Sequence, residues 1–304
     1  MIAMRRAAAR LACVVPVLLL LTACAHEYVK PPPSEHRIIR VEFADSLSAI
    51  DKDMHGGTLH VPNTHVFVTG LQSHSMVAGM FGVVGLLVES AFDAQRSKKT
   101  VEGTGTSLDL GLPASINRIG QQLIESDQYA TDFTLDDNDN GPVLIISSAV
   151  IMSFVNESDA RPYVLLKARL RGPLAGSTWH GRYIASKGRP HKFKGLDSWT
   201  EDDARQLRPV VAEDLRRALT VLLNDVATPY PRNENHQVTV QSWFPDIEGR
   251  AQMVGFGVGA EGGYLLFLPR RSDNFVYQGI NILDESVTRH HPAREDDDDF
   301  ELLD

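Results

Sequence analysis

Apolar side chains recur with the spacing of β-strands through three consecutive segments in the middle of the chain. Residues 143–155 form a long apolar run, residues 163–170 alternate apolar with basic side chains, and residues 177–185 hold Trp179 and Tyr183 in a third run. The joins contain Asn, Gly and Pro, which favour turns. Three consecutive strands with short connections predict an antiparallel meander.

Two further segments repeat apolar side chains at the 3.6-residue period of an amphipathic helix. Residues 113–129 form the first, and Pro113 suits its first turn, where a helix leaves amide hydrogens unpaired. Residues 210–226 form the second. We expect Thr200 to cap the start of a helix that leads into this segment, and Pro209 to break or restart it.

Short apolar runs near the C-terminus, separated by Gly, Pro, Asp and Asn, predict a small all-β unit. These runs are residues 238–240, 253–258, 264–268 and 275–278. So small a core is marginal alone, and we expect it to pack as a subdomain. The fold class that follows is α+β: an antiparallel sheet with helices packed on one face, plus a small C-terminal all-β unit.

The segment 76–92 is apolar on all sides except near its end, and Gly79, Gly82 and Gly85 recur along it every third residue. Glycines on one stripe of a helix permit close packing against a second helix. Three interpretations stay open: a buried core helix, a membrane-dipping or self-associating helix, and an irregular glycine-rich loop. At 17 residues the segment is slightly short for a membrane span, which needs about 20.

The N-terminus has the three parts of an export signal. Arg5, Arg6 and Arg10 supply the positive start, and the apolar run from residue 11 to 21 is interrupted only by Pro16. This run is about half the length of a transmembrane helix. It therefore predicts a cleaved signal peptide.

Leu21-Thr22-Ala23-Cys24 follows that run, and it resembles the lipobox of bacterial lipoproteins. The resemblance implies that the peptidase cuts before Cys24 and that the thiol carries diacylglycerol, with a further palmitate-type chain on the new amine. Two or more chains are needed for stable anchoring. Residue 25 is Ala, which in enteric-type sorting implies the outer membrane; we expect the protein to face the periplasm.

The chain divides by composition into five expected parts. They are a lipoprotein signal peptide at 1–23, a lipidated Cys and Pro-rich tether at 24–58, an α+β domain at 59–228, a small β subdomain at 236–288 and an acidic disordered tail at 289–304. A first strand at residues 37–43, inside the tether, stays open as an alternative.

Charge and cysteine content exclude several classes of function. The formal net charge is −9, and loss of the three arginines of the signal peptide makes it −12. A negative net charge argues against binding to nucleic acid and against electrostatic docking on anionic lipid, so we expect the lipid on Cys24 to provide membrane attachment. Cys13 leaves with the signal peptide and Cys24 carries lipid, so no cysteine remains for a disulfide or thiolate metal site.

Residues 136–141 match the first half of a calcium loop, with Asp136, Asn138 and Asn140 at alternate positions. Position 12 of such a loop should hold an acid, but here it is Ser147. We expect a solvated turn, with calcium as the weak alternative and no other metal or cofactor.

Gly257, Gly259 and Gly262 spell GxGxxG, the glycine pattern of dinucleotide-binding loops. That function needs a helix after the glycines, whereas residues 264–268 have the pattern of a strand, so we expect a hairpin turn. The chain has no GxSxG nucleophile elbow. Trp179, Trp199 and Trp243 could form a sugar platform, but packing in the core or an interface is the simpler expectation.

With these segments taken together, the chain resembles small Gram-negative envelope lipoproteins. Residues 143–226 resemble the auxiliary lipoproteins of envelope transport systems, in which a long helix backs a meander. The residues that carry the resemblance are Val143 to Val155, Tyr163 to Leu170, Trp179 to Ala185 and Val210 to Val226.

The expected function is a membrane-anchored envelope lipoprotein that acts as a non-enzymatic binding or assembly accessory in the periplasm. Its expected partners are the membrane, through the N-terminal lipid, and an envelope protein, but not nucleic acid. Two alternatives stay open: an envelope hydrolase that acts on peptidoglycan or glycans, and a self-assembling structural surface lipoprotein that forms homo-oligomers.

Overall fold

Most of the fold is a single mixed β-sheet. A computed structural model describes residues 30–33, 37–54, 58–69, 102, 104–105, 107–137, 141–172, 178–232, 236–270 and 277–303 of the 304-residue chain. Within these residues the sheet has fourteen strands, and three helices accompany it. The fold class is therefore α+β, as expected, with a sheet that is only partly antiparallel.

The strands are numbered in chain order. They are β1 (Ile39–Ala44), β2 (Leu59–His60), β3 (Val66–Thr69), β4 (Phe133–Thr134), β5 (Val143–Phe154), β6 (Asp159–Arg171), β7 (Thr178–Ser186), β8 (His191–Lys192), β9 (Gln237–Ser242), β10 (Arg250–Glu261), β11 (Tyr264–Pro269), β12 (Ile280–Asp284), β13 (Arg289–Pro292) and β14 (Phe300–Leu303). Their order across the sheet is β13-β9-β10-β11-β12-β7-β6-β5-β1-β4. Off this path, β14 lies beside β10, β3 beside β5, β2 beside β3, and β8 beside β6.

Strands β5, β6 and β7 form the predicted antiparallel meander. The pairing of β5 with β6 runs without a break from Val143 opposite Arg171 to Phe154 opposite Ala160. The tight turn between these strands depends on the Asn156 side chain, whose oxygen accepts hydrogen bonds from the backbone amides of Ser158 and Asp159. Asn favours such turns because its side chain reaches the backbone two residues ahead.

Parallel pairs make the sheet mixed. β1 and β3 both run parallel to β5 and lie end to end along it, with Arg40 opposite Val143 and Val66 opposite Val150. β4 is parallel to β1, and β12 is parallel to β7. Parallel neighbours need long crossover connections, and the period of a strand does not reveal a distant partner. The antiparallel expectation was therefore too narrow.

The three helices are α1 (Ser48–Asp51), α2 (Leu112–Ile124) and α3 (Leu207–Ala227). Pro113 lies in the first turn of α2, as predicted. α3 begins after Thr200, whose hydroxyl donates to the carbonyl of Phe193 instead of capping a helix. The expected helix start at Thr200 is wrong, because residues 202–204 adopt left-handed φ angles of 47 to 57° that break a right-handed helix.

Both faces of the central strands are buried. Leu144 and Ile146 on β5 join one apolar cluster with α2 and α3, whereas Ala149 and Ile151 join a second cluster with residues of β9 and β10. Alternate side chains of a strand point to opposite faces. Residues 143–155 are therefore continuously apolar because two separate cores take alternate side chains from the same strand.

The C-terminal strands belong to the same sheet as the meander. β12 pairs with β7, so that Ile280 lies opposite Tyr183 and Leu283 opposite Ser186. The strand expected at 275–278 is displaced to Ile280–Asp284; residues 271–276 lie outside the described residues. The expected small β unit is continuous with the main sheet in the described structure.

The structure also differs from the disordered tail expected at 289–304. β13 pairs with β9, and β14 pairs with the first half of β10. Between them, the Asp297 carboxylate accepts hydrogen bonds from the Thr239 hydroxyl at 2.5 Å and the Arg294 amide at 2.9 Å. Strand pairing and these hydrogen bonds offset the repulsion between the neighbouring acidic side chains of this segment.

Glycine at position 279 is required by backbone geometry. Its φ is +114°, and a Cβ there would come 2.4 Å from the carbonyl oxygen of Arg182. Gly188 has φ +74° with no atom within 4 Å of its Cβ position, so a substitution there tests the cost of the positive φ without a steric clash.

We expect Gly188→Ala to cost about 1 kcal/mol of unfolding free energy and Gly279→Ala about 3 kcal/mol or more. Urea unfolding followed by circular dichroism measures both, and equal losses would contradict the predicted clash.

Candidate functional site

A groove of about 180 Å³ lies between α3 and the strands β10 to β12. Its apolar lining comes from Val221 on α3 and from Leu266 and Ile282 on the sheet. Its polar lining consists of Glu213, Arg216, Arg217, Thr220 and Glu261. Four of these five side chains are charged, so an apolar floor lies between charged walls.

One wall is held together by Arg217. Its guanidinium carbon lies 3.5 Å from the centroid of the Tyr264 ring, and its Nη2 lies 3.3 Å from Oε1 of Glu213. Glu213 also accepts hydrogen bonds of 2.9 Å from Nζ of Lys187. The hydrogen bond from Lys187 lowers the pKa of Glu213 and raises that of Lys187. Cation–π contact and ion pairing together fix this wall in position.

The other charged groups of the groove connect α3 to its surroundings. Arg216 is exposed and donates to Oε1 of Gln122 on α2 at 3.0 Å. Glu261 lies at the end of β10. Burial, and after it the negative charge of Glu261, raises the pKa of Tyr129 to about 12; burial is also the largest cause of the same shift at Tyr230. Both phenols therefore stay protonated at neutral pH.

Asp214 lies on α3 beside Glu213, and its side chain is fully buried. Its Oδ2 accepts a hydrogen bond of 3.2 Å from the Lys187 amide, while its Oδ1 has no hydrogen bond within the described residues. Burial raises the pKa of Asp214 to about 7, although the positive charge of Arg161 lowers it. A carboxyl group whose charged form is poorly solvated shifts in this direction.

Arg161 is the buried cation that faces this region from β6. It is 0 % exposed, and its Nη2 donates to the carbonyl of Ser186 at 3.3 Å. The guanidinium carbon lies 5.5 Å from the ring of Tyr163 and 5.3 Å from the ring of Trp243. Aromatic faces stabilise the charge where hydrogen-bond partners are few.

A buried ion pair closes the C-terminal end of α3. Arg232 binds Asp225 with both nitrogens, at 2.7 and 3.0 Å, and the Tyr183 hydroxyl donates to the same carboxylate at 2.6 Å. The Tyr230 amide donates to it as well, at 2.8 Å. Asp225 therefore joins α3, β7 and the segment after α3, and its four hydrogen bonds offset the cost of burying its charge.

On the opposite face of the sheet, one carboxylate lies between two cations. Asp53 lies 2.7 Å from Nζ of Lys167 and 2.7 Å from Nη2 of Arg182. Lys167 also donates to the carbonyl of Ala49 at 2.9 Å. These bonds attach the segment around α1 to β6 and β7, so we interpret the cluster as structural.

Within the described residues, the groove combines features that suit ligand binding. Its charges of both signs are held by neighbours, and they flank an apolar strip formed by Val221, Leu266 and Ile282. A pocket of this kind recognises a molecule with an apolar body and polar ends, because apolar burial provides affinity and fixed charges provide orientation.

Most sequence-predicted site residues lie outside the described residues. This holds for Cys24 and the lipobox residues Leu21, Thr22 and Ala23, and for Gly79, Gly82 and Gly85. The lipid anchor and the helix contact at 76–92 therefore stay predictions. Among the described residues, no helix is long and apolar enough to cross a membrane.

The calcium candidate is described only in part. Asp136 is exposed, and its amide donates to the Thr134 hydroxyl at 3.1 Å, whereas Asn138 and Asn140 lie outside the described residues. In the described ranges, no three His, Cys, Asp or Glu side chains come close enough together to hold a metal ion.

The hairpin expected at the glycine pattern is confirmed. Gly257 and Gly259 lie within β10, and the turn into β11 is formed by Gly262 and Gly263 at φ +57° and +82°. Two glycines with positive φ are what a tight hairpin turn needs. Trp179 and Trp199 are packed in the core as expected, at 8 % and 7 % exposure.

Sequence reasoning did not single out the buried charges. Asp214 and Asp225 lie on the same stripe of α3 as Ala218 and Leu222, because they follow at intervals of three to four residues. Acidic residues at core positions of a helix were the available signal. Arg161, at the start of β6, offered a weaker one, since a single basic residue near a turn is usually solvated.

Comparisons with known proteins add no relative: no protein-family model, curated protein or solved structure matches the chain. The functional argument therefore depends on the residues of this chain alone.

Asp214 makes stability depend on pH. Its folded pKa of about 7 lies above the ordinary aspartate value of 3.8, so the folded state binds an extra proton between these two pH values. This contribution is fully present below about pH 4 and is lost as pH rises through about 7, a change on the order of 4 kcal/mol. Asp214→Asn should remove this slope, whereas exposed Asp202→Asn should retain it. Urea midpoints from pH 4 to 8 measure the effect, and parallel slopes for wild type and Asp214→Asn would contradict it.

Proposed function

We propose that this protein is an envelope lipoprotein, anchored by lipid on Cys24 and acting as a non-enzymatic binding or assembly accessory in the periplasm. The observation that carries the proposal is the sequence Leu21-Thr22-Ala23-Cys24, placed directly after a basic start and an apolar run of about 11 residues. A chain with two or more acyl groups stays on the membrane, because each buried methylene adds to the free energy of insertion.

The position at which the folded body begins supports a short tether. Nε1 of Trp179 donates a hydrogen bond of 2.9 Å to the carbonyl oxygen of Lys30, and Pro32 is buried. The body thus includes residues six positions after Cys24. A lipid at that cysteine would hold the body close to the bilayer, so the Pro-rich stretch serves as an attachment and not as a long spacer.

The accessory role is supported by the groove along α3. Tethering raises the effective concentration of the protein near other envelope components, so even a weak binding surface becomes occupied. The groove has fixed charges and an apolar floor within one surface feature, which suits reversible recognition of a protein segment.

Replacing Cys24 tests the anchor. We expect wild type to incorporate labelled palmitate and to fractionate with envelopes, whereas Cys24→Ser takes up no label and is lost from the mature envelope fraction. Ala25→Ser is the matched control, because it makes a neighbouring change and keeps the thiol. The anchor proposal fails if Cys24→Ser still pellets with envelopes and the wild type takes up no palmitate.

Photo-crosslinking in intact cells tests the accessory role. A photoreactive residue at exposed position 216 lies on the groove wall, and one at exposed position 157 lies in the turn between β5 and β6 as the control. We expect position 216 alone to yield an adduct with one defined envelope protein, and Cys24→Ser to lose it. An anchored protein that yields no adduct from position 216 would contradict the role.

A further inference from the structure

The N-terminal segment is attached at one end of the meander. Thr178, Arg171, Val143 and Arg40 lie opposite one another in a single row across β7, β6, β5 and β1. We call this row and the residues next to it the tether rim. Because the indole of Trp179, next to Thr178, binds the carbonyl of Lys30, the chain enters the fold at the tether rim.

Chain length limits how far the tether rim can lie from a lipid on Cys24. Six residue steps separate Cys24 from Lys30, and a fully extended chain spans at most about 20 Å over six steps. β6 has 13 residues, so its start lies roughly 40 Å from the rim. The lipid therefore keeps the tether rim near the bilayer and leaves the turn between β5 and β6 free to point away.

The tether rim carries exposed basic side chains. Arg169 and Arg171 are exposed at alternate positions of β6, and Arg37 is exposed before β1. Across the described part of the chain, none of these three arginines forms an ion pair. An exposed apolar side chain, Ile38 at 45 %, follows Arg37 directly before β1.

Acidic groups at the rim lie on its β1–β4 side. Arg40 pairs there with Glu42 at 2.6 Å and with Asp137 at 3.7 Å. Asp132 and Asp136 are exposed on the same side. The unpaired arginines of the rim are therefore Arg169 and Arg171 on β6, together with Arg37 before β1.

The most acidic stretch of the chain packs on strands other than those of the tether rim. Leu303, at the end of β14, lies opposite Arg250, and the nearby Gly249 amide donates to the carbonyl of Val155 beside the β5–β6 turn. The acids precede β14, where Asp299 lies 3.6 Å from Arg270 and Asp297 accepts a hydrogen bond from Thr239 on β9. The net charge of −9 therefore does not describe the charge of the rim itself.

We propose that the tether rim rests on the anionic lipid headgroups of the membrane that holds the Cys24 lipid, with the β5–β6 turn directed away from it. This inference rests on the proposed function, because it takes the lipid at Cys24 as given. Arg37, Arg169 and Arg171 bind phosphate groups, and Ile38 enters the headgroup layer. Each arginine near an anionic surface strengthens contact roughly fivefold.

Site-specific fluorescence on the full-length lipidated protein in vesicles tests the orientation. Acylation blocks the thiol of Cys24, so a single introduced cysteine is the only site for the fluorophore. Thr178→Cys places it at the tether rim, and Ser158→Cys places it in the β5–β6 turn. In phosphatidylcholine vesicles with phosphatidylglycerol and headgroup-nitroxide lipid, we expect strong quenching at position 178 and little at position 158.

Charge variants test the recognition of anionic lipid. We expect Arg169→Gln with Arg171→Gln to weaken rim contact roughly 25-fold. Omission of phosphatidylglycerol should also weaken it. Arg189→Gln with Lys192→Gln is the matched control, since it removes two exposed cations near the other end of the strands. Equal quenching at positions 178 and 158, or quenching unaffected by these changes, would overturn the proposal.

Vesicle flotation separates this inference from the proposed function. A protein that fails to float with vesicles lacks the anchor, and the proposed function fails with it. A protein that floats but shows no preference for the tether rim retains the anchor and refutes only the orientation.

Discussion

The structure depends on burying both faces of one antiparallel meander. Strands β5, β6 and β7 supply alternate side chains to two apolar clusters, so each face needs its own cover. Helices α2 and α3 cover one face, and strands β9 and β10 with the loops beside them cover the other. The C-terminal half is therefore part of the core of the fold, because without it Ile151 and Leu165 would face water.

Ion pairs and hydrogen bonds to charged side chains fix α3 and the α1 segment in position on the meander. Asp225 connects α3 to Tyr183 on β7 and to Arg232 beyond the helix, and Asp53 connects the α1 segment to Lys167 and Arg182. Directional bonds of this kind add little net stability but strongly disfavour alternative arrangements, since a displaced helix would leave a charge buried and unpaired. The same arrangement shapes the groove, whose wall is fixed by α3.

One end of the meander carries both the attachment of the N-terminal segment and exposed basic side chains. The N-terminal segment enters at the end that carries Arg169 and Arg171. A short tether and these unpaired arginines favour the same orientation at a membrane. The proposed anchoring role thus involves the whole strand layer as well as the lipid.

Local periodicity was sufficient to predict the meander, the helix beginning near Pro113, the helix over residues 210–226 and the hairpin at Gly262, because each depends on neighbouring residues. The lipobox prediction has the same local basis and lies outside the described residues. The parallel neighbours of β5 and β7, the ordered tail and the partners of Asp214 and Asp225 could not be predicted this way. They depend on contacts between residues far apart in the chain. The partner of a charged residue at a core position is determined only when the strands and helices pack together.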